Sequence, residues 1–381
     1  MVKEYIYLLL MRTLNFIFPL ARNKVLFMSY YGRQYGCSPK YLSEYLVSNC
    51  SGMDVVWVFT RPEQYDIPGV RKVRYLSFRY FYELCTCKVL VTNYRMTSLF
   101  LKRKNQYYIQ TWHSSLRLKQ IEKDAEETLP SSYMQMAKVD SEKIDFLISG
   151  CSYSTSIFRR AFWYDGAILE SGTPRNDLFF HKNKAIKGKV CKSLNISSST
   201  HFVLYAPTFR KGNTLEFYDV DFRRVVETLS AQIEGEWKVM LRLHPHLYQY
   251  SQELLKNYPE VIDVTSYDDI QELLYVADVL ITDYSSLMFD FALTERPCFL
   301  YVKDLEAYVQ SDRKLYFDID QLPFPKCLDN EELIQNIVSF NNEEYLRRIQ
   351  YFLKKVGSFE DGHSSKRIVN KIFNNLIFKA K

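Results

Sequence analysis

Short runs rich in Val, Ile, Leu and aromatic residues recur along nearly the whole chain, separated by stretches with the length and pattern of helices. VLFMSYY (Val25 to Tyr31), DVVWVFT (Asp54 to Thr60), Val73 to Ser77, VLVTN (Val89 to Asn93), YYIQTW (Tyr107 to Trp112), DFLISG (Asp145 to Gly150) and Ala167 to Gly172 form a first series. HFVLYA (His201 to Ala206), WKVMLRL (Trp237 to Leu243), Val261 to Ser266, VLIT (Val279 to Thr282) and Cys298 to Val302 form a second. Helices fit between several of them, for example Pro39 to Ser48 and Thr155 to Phe162. This rhythm requires parallel sheets with helices on both faces. The polar interval His181 to Thr200 breaks it. The expectation is therefore an α/β chain with two Rossmann-like doubly wound domains, residues 25–180 and 200–381, whose strand ends face a shared cleft. A length of 381 residues suits two such domains.

The formal charge is +6, and its lysines and arginines are scattered instead of blocked, so no nucleic-acid partner is expected. Small anionic substrates or a membrane surface fit this balance. The 8 cysteines include no CxxC pair, and neither disulfides nor zinc are expected. The segment 1–24, MVKEYIYLLLMRTLNFIFPLARNK, is apolar from Tyr5 to Leu20 but carries Arg12 in the middle and is too short to span a bilayer. It reads either as an amphipathic helix on a membrane, with Arg12, Arg22 and Lys24 near anionic head groups, or as a helix packed on the first domain.

Polar segments follow several strands. In TDYSSLMFD (Thr282 to Asp290) the pair Ser285 and Ser286 lies at a strand-to-helix turn, where free N–H groups and hydroxyls suit a phosphate. An N-cap role for one serine stays open. A nucleophilic serine has less support, since no GxSxG elbow surrounds it. Asp290 falls four residues after Ser286, on the same helical face, as an acceptor for sugar or polyol hydroxyls. In LRLHPH, Arg242 and His244 share a strand face and suit a pyrophosphate. No third ligand accompanies the HPH pair, so a metal is not expected there. His113, after YYIQTW and before Ser114 and Ser115, projects from a strand end as a general base would have to, and a purely structural role for this lone histidine stays open. The acids of FDID (Phe317 to Asp320) read as a surface loop, and Asp268 and Asp269 as the cap of a helix running to Ala277.

Taken in order, QTWH, GTPRND, LYAPTFR, LRLHP, DVLITDYSSLMFDFAL, DLEAY and DRKLYFD resemble the CDP-glycerol glycerophosphotransferases that build teichoic acids and related capsule polymers. The resemblance runs from about Val25 to Arg367. It implies a GT-B type fold with a CDP-polyol held mainly by the C-terminal domain. It implies that Ser114, Ser115, Leu116, Arg117, Arg175, Pro207, Thr208, Arg242, Leu243, Ser285, Ser286 and Asp290 line the donor pocket. It also implies catalytic roles for His113, the base, and His244, beside the pyrophosphate. The chain departs from the family where WHGT is common, since Ser114 and Ser115 stand there, and where RG is common, at Arg313 and Lys314. Losing glycine at 114 changes how closely backbone approaches a ligand, which bears on donor or acceptor choice.

The activity so implied is transfer of glycerol phosphate or ribitol phosphate from CDP-glycerol or CDP-ribitol to a hydroxyl of a lipid-linked glycan or polyol-phosphate acceptor. CMP leaves, no cofactor is required, and the protein sits peripherally on the cytoplasmic face of the membrane. Two other readings remain open: a GT-B sugar transferase using a UDP- or CMP-sugar, and a non-catalytic scaffold of a polymer assembly complex.

Overall fold

The computed structural model describes residues 2–210, 218–243, 255–256, 258, 260–311 and 314–378. The chain forms two compact units: Met1–Ser115, Ile121–Phe180 and Ser358–Lys381 make the first, Leu116–Gln120 and His181–Gly357 the second.

The first unit is built on β1 (Ala21–Met28), β2 (Asp54–Phe59), β3 (Arg71–Arg74), β4 (Cys87–Thr92), β5 (Tyr107–Gln110), β6 (Phe146–Ser149) and β7 (Ala167–Glu170). They form one parallel sheet in the order β3-β2-β1-β4-β5-β6-β7. Successive side chains of a strand point to opposite faces, and β1 shows why its run is apolar throughout. Leu26 and Met28 enter one buried cluster with Val56, Val58 and Leu90, while Val25 and Phe27 enter another with Val55, Trp57 and Val91. Helix α1 (Val2–Ile17) contributes Met11 and Leu14 to the former cluster, alongside Phe81 and Leu84 of α3 (Phe78–Thr86). Helix α2 (Cys37–Asn49) contributes Leu42 and Leu46 to the latter.

Two sequence expectations change here. Lys24 is not a head-group ligand: it is 5% exposed, and its ammonium pairs with Glu83 at 2.8 Å and donates to Thr86 Oγ1 at 2.8 Å, which offsets the cost of burying the charge. The chain from Ser358 onward, placed by sequence in the second domain, belongs to the first unit. Ile368, Val369, Ile372 and Phe373 complete the cluster around Val25 and Trp57. The GTPRND segment fastens this tail. Glu360 accepts from Thr173 N at 3.0 Å and from Thr173 Oγ1 at 2.7 Å, and Asp177 accepts from the N–H groups of Ser364 and Ser365, both at 2.8 Å.

The second unit contains β8 (His201–Tyr205), β9 (Trp237–Leu241), β10 (Val261–Asp263), β11 (Val279–Thr282), β12 (Cys298–Tyr301) and β13 (Lys326–Cys327), parallel in the order β10-β9-β8-β11-β12-β13. The polar interval after His181 is no bare linker: Lys184–Leu194 is a helix of this unit, capped by Asn183 and tied by Lys189 to Glu272 at 2.7 Å. Helix Ile270–Val276 starts at Asp269, whose side chain accepts from Gln271 N, as the sequence suggested.

In each sheet the chain leaves a central strand in one direction and later returns to its other side. The switch points are β1/β4 in the first unit and β8/β11 in the second. At such a point the loops after adjacent strands diverge, and the carboxyl ends leave a crevice where ligands bind.

Candidate active site

In the first unit, the loop after β5 carries His113, and the loop after β4 lies beside it. Trp112 adopts φ +53°, a left-handed conformation unusual for a residue with a Cβ, and this turns the chain out of the ladder. The His113 ring packs on the Trp112 ring with centroids 4.4 Å apart, and its Nδ1 lies 3.2 Å from the carbonyl oxygen of Asn93. A carbonyl only accepts, so Nδ1 carries the proton and Nε2 is the basic nitrogen. His113 is exposed, whereas Trp112 is buried against Phe162 at 4.9 Å.

Arg175 is 3% exposed, and its Nη1 donates to Cys37 Sγ at 3.6 Å. The Cys37 thiol in turn donates to the Trp112 carbonyl at 4.0 Å, which brings Arg175 to the base of the His113 turn. Ser114 and Ser115 are both buried. The Ser115 carbonyl accepts from Ser154 Oγ at 2.6 Å, and a Cβ at Gly150 would meet Ser115 Oγ at 2.1 Å, so only glycine fits at 150.

Leu116–Gln120 belongs to the second unit. It runs antiparallel to the segment around Leu315, with Gln120 N donating to Lys314 O at 2.9 Å and Tyr316 N to Leu118 O at 2.7 Å. Leu116 and Arg117 are buried in it, 3% and 2% exposed. Leu118 N donates to Ser286 Oγ at 3.3 Å, which attaches this segment to the serine pair.

At the β8/β11 switch point, Asp283 accepts from Thr208 N at 2.9 Å and from Thr208 Oγ1 at 3.0 Å. Pro207 removes a competing N–H just before this bond. Arg210 locks the pair: its guanidinium lies 2.9 Å from Asp283, 2.6 Å from Asp304 and 2.7 Å from Thr208 Oγ1. Tyr284 and Tyr308 stack at 3.6 Å, and the guanidinium carbon stands 4.9 Å from each ring. Burial alone would ease the proton off Arg210, but Asp283 and Asp304 hold its pKa above the ordinary value. Burial raises the Asp283 pKa against the opposing pull of Arg210 and the Thr208 N–H. Lys119 places its ammonium 5.1 Å from the Tyr308 ring and also favours the Asp283 anion.

Ser285 and Ser286 divide their work. Ser285 Oγ accepts from the N–H of Leu287, the first residue of helix Leu287–Ala292, at 3.3 Å, while Ser286, the N-cap of that helix, makes no side-chain capping bond and its Oγ accepts from Leu118 N. Each hydroxyl that accepts retains an O–H to donate. Asp290 is fully buried within that helix. Arg242 is held by backbone, donating to Tyr267 O at 2.6 Å and Val264 O at 3.2 Å, and Leu243 N donates to Thr265 Oγ1 at 3.1 Å. His244 lies outside the described residues. The FDID acids are accounted for locally: Asp318 caps a short turn and Asp320 pairs with Lys326. Among the described residues no cluster of three or more His, Cys, Asp or Glu side chains can hold a metal ion.

The sequence reading did not name Asp283, Arg210, Asp304, Tyr284, Tyr308 or Lys119 as site residues. Their signal was position: each lies within or beside a motif already quoted, and an acid directly after a buried strand needs a partner.

The model of the CDP-Glycerol:Poly(glycerophosphate) glycerophosphotransferase family matches residues 10–374. The teichoic acid poly(glycerol phosphate) polymerase of Bacillus spizizenii is 34% identical over 370 residues, covering 93% of this chain and 93% of the relative. The teichoic acid glycerol-phosphate transferase of Staphylococcus aureus is 32% identical over 371 residues, 92% of this chain and 93% of the relative. Among solved structures, a variant of the wall teichoic acid polymerase TagF soaked with CDPG superposes with a TM-score of 0.86 at 28% identity, covering 100% of this chain and 97% of that one. That likeness extends the doubly wound, GT-B type architecture to the whole chain. With nearly its full length matched, the chain belongs to the CDP-glycerol:poly(glycerophosphate) glycerophosphotransferase family.

Proposed function

We propose that this protein transfers glycerol phosphate from CDP-glycerol to an acceptor hydroxyl and releases CMP. The observation that carries the reading is the β8/β11 switch point, where Thr208, Asp283, Arg210 and the Ser285/Ser286 pair gather at strand ends in a chain of this family. The acceptor oxygen bonds to the β-phosphorus as the bond from that phosphorus to the bridging oxygen breaks. CMP departs with the bridging oxygen, and the acceptor's proton passes to His113 Nε2. Ser285 and Ser286 donate to phosphate oxygens, and Arg242 and His244 supply positive charge to the diphosphate. The acceptor is a lipid-linked glycan or polyol-phosphate chain. The test is CMP release from CDP-glycerol and from CDP-ribitol with acceptor present, beside a panel of UDP-sugars. Turnover of a UDP-sugar while both CDP-polyols are ignored would overturn the reading in favour of a sugar transferase.

The outer face of α1 is proposed to lie on the membrane. Tyr5, Ile6, Leu9, Phe16 and Ile17 are 55–92% exposed, and Arg12 and Arg22 are exposed too. No described helix is long and apolar enough to cross a membrane. Because Met11 and Leu14 of the same helix are core residues, deleting it would unpack the first unit, and surface substitutions are the cleaner test. Leu9→Glu with Phe16→Glu is expected to abolish sedimentation with anionic phospholipid vesicles while leaving turnover of soluble substrates intact. Undiminished sedimentation of the double variant would remove the proposal.

A further inference from the structure

We propose that Gln110 is the positioning residue that aims His113, an inference that rests on the reading of His113 as the base. Gln110 ends β5 and is fully buried. Its carboxamide makes three hydrogen bonds: Oε1 accepts from Trp112 N at 2.9 Å, and Nε2 donates to Tyr94 O at 2.8 Å and to Tyr108 Oη at 2.9 Å.

The placement of these bonds gives the side chain its role. One step earlier the ladder between β4 and β5 is ordinary, with Thr111 N donating to Thr92 O at 2.8 Å. Beyond it the strands part, and the Gln110 carboxamide spans the gap between the Trp112 N–H that follows β5 and the Tyr94 carbonyl that follows β4. Both groups border the atoms that orient the base. Trp112 holds the left-handed turn and packs on the His113 ring, and Tyr94 follows Asn93, whose carbonyl accepts from His113 Nδ1. One carboxamide therefore fixes both the turn that presents the imidazole and the carbonyl that selects its tautomer.

The site also specifies the residue type. Trp112 N–H can only donate and Tyr94 C=O can only accept, so the bridging group needs one acceptor end and one donor end. A glutamate side chain, when ionised, has no donor, and methionine has neither at useful strength. Gln106 provides the comparison. It too is a buried carboxamide, 2% exposed, but it precedes β5, and its Nε2 donates away from the His113 turn, to Leu84 O at 2.8 Å and Cys87 O at 3.0 Å.

The experiment compares CMP release by Gln110→Met, Gln106→Met and His113→Ala, each confirmed folded by circular dichroism, with nitrogen-15 spectra of labelled histidine. Displacement of a reacting group by about 1 Å costs about 10²-fold in rate, so Gln110→Met is expected to lose about that factor in kcat with KM for CDP-glycerol little changed. The His113 ring, assigned by its absence in His113→Ala, should lose its Nδ1-protonated preference. Gln106→Met should keep kcat. An unchanged kcat in Gln110→Met while His113→Ala is inactive overturns the positioning role alone. Equal kcat losses in both glutamine variants would mean a merely structural effect and overturn it as well. Full activity in His113→Ala instead overturns the reading of the base, and the positioning role with it. Should Gln110→Met fail to fold, the isosteric Gln110→Glu carries the same comparison.

Discussion

His113→Ala is expected to lower kcat for CMP release by about two orders of magnitude or more, the usual contribution of a general base. The hydroxyl of an alcohol is a poor nucleophile until its proton is accepted, and a methyl group at 113 accepts none. KM for the donor should change little, because the donor's phosphates are assigned to groups of the second unit: Arg242, His244 and the serine pair. The conservative variant sharpens the prediction. His113→Asn keeps a group able to donate to the Asn93 carbonyl, which His113 Nδ1 now reaches at 3.2 Å, but offers no basic nitrogen. It should therefore fold like the native protein and be as inactive as the alanine variant. Steady-state CMP release with saturating acceptor is the measurement, and a loss under about tenfold would remove the imidazole from the proton-transfer step.

Arg210→Met is expected to be the most destabilising single change in the second unit. Its guanidinium serves two carboxylates, Asp283 and Asp304, that are 2% and 8% exposed. Removing one member of a buried pair while leaving the other charged costs about 3–5 kcal/mol. In a unit of this size that lowers the Tm of its unfolding by about 10 °C or more. Activity should fall as well, since Asp283 loses the cation that lets it stay ionised and hold Thr208 at the switch point. Arg210→Lys should fall between the two, because an ammonium keeps the charge but cannot fork to both acids or lie flat near Tyr284 and Tyr308. Thermal unfolding followed by circular dichroism decides this: a Tm within about 2 °C of native in Arg210→Met would mean the ion pair is not what holds the site.

The strands were legible because a parallel strand buried on both faces must be apolar throughout, and VLFM, DVVWVF and VLIT have no other soluble use. Their carboxyl ends were read too long in several places. Tyr30 and Tyr31, Trp112 and Leu243 look like strand residues by composition, yet they lie beyond β1, β5 and β9, in the segments that follow those strands. Strand β13, Lys326–Cys327, is too short to leave any periodic signal. The amphipathic pattern of α1 was visible, but two uses of it were left open, and the helix serves packing through one face while the other stays exposed.

The sequence by itself determined the α/β class, nearly every strand, the family, and the motifs that hold His113, Thr208, Ser285 and Ser286, because each of these depends on residues adjacent in the chain. What only the tertiary structure decided depends on residues far apart in it. Burial of Ile368 and Phe373 among the side chains of β1 and β2 returns the tail to the first unit. The needs of two buried carboxylates bring Arg210 to Asp283 and Asp304. The division of the serine pair follows from Leu118 arriving to bond Ser286, and the orientation of His113 from a carbonyl 20 residues upstream. A hydrogen bond between distant segments leaves no local pattern in either of them, so the motifs were readable in the sequence while their geometry had to wait for the fold.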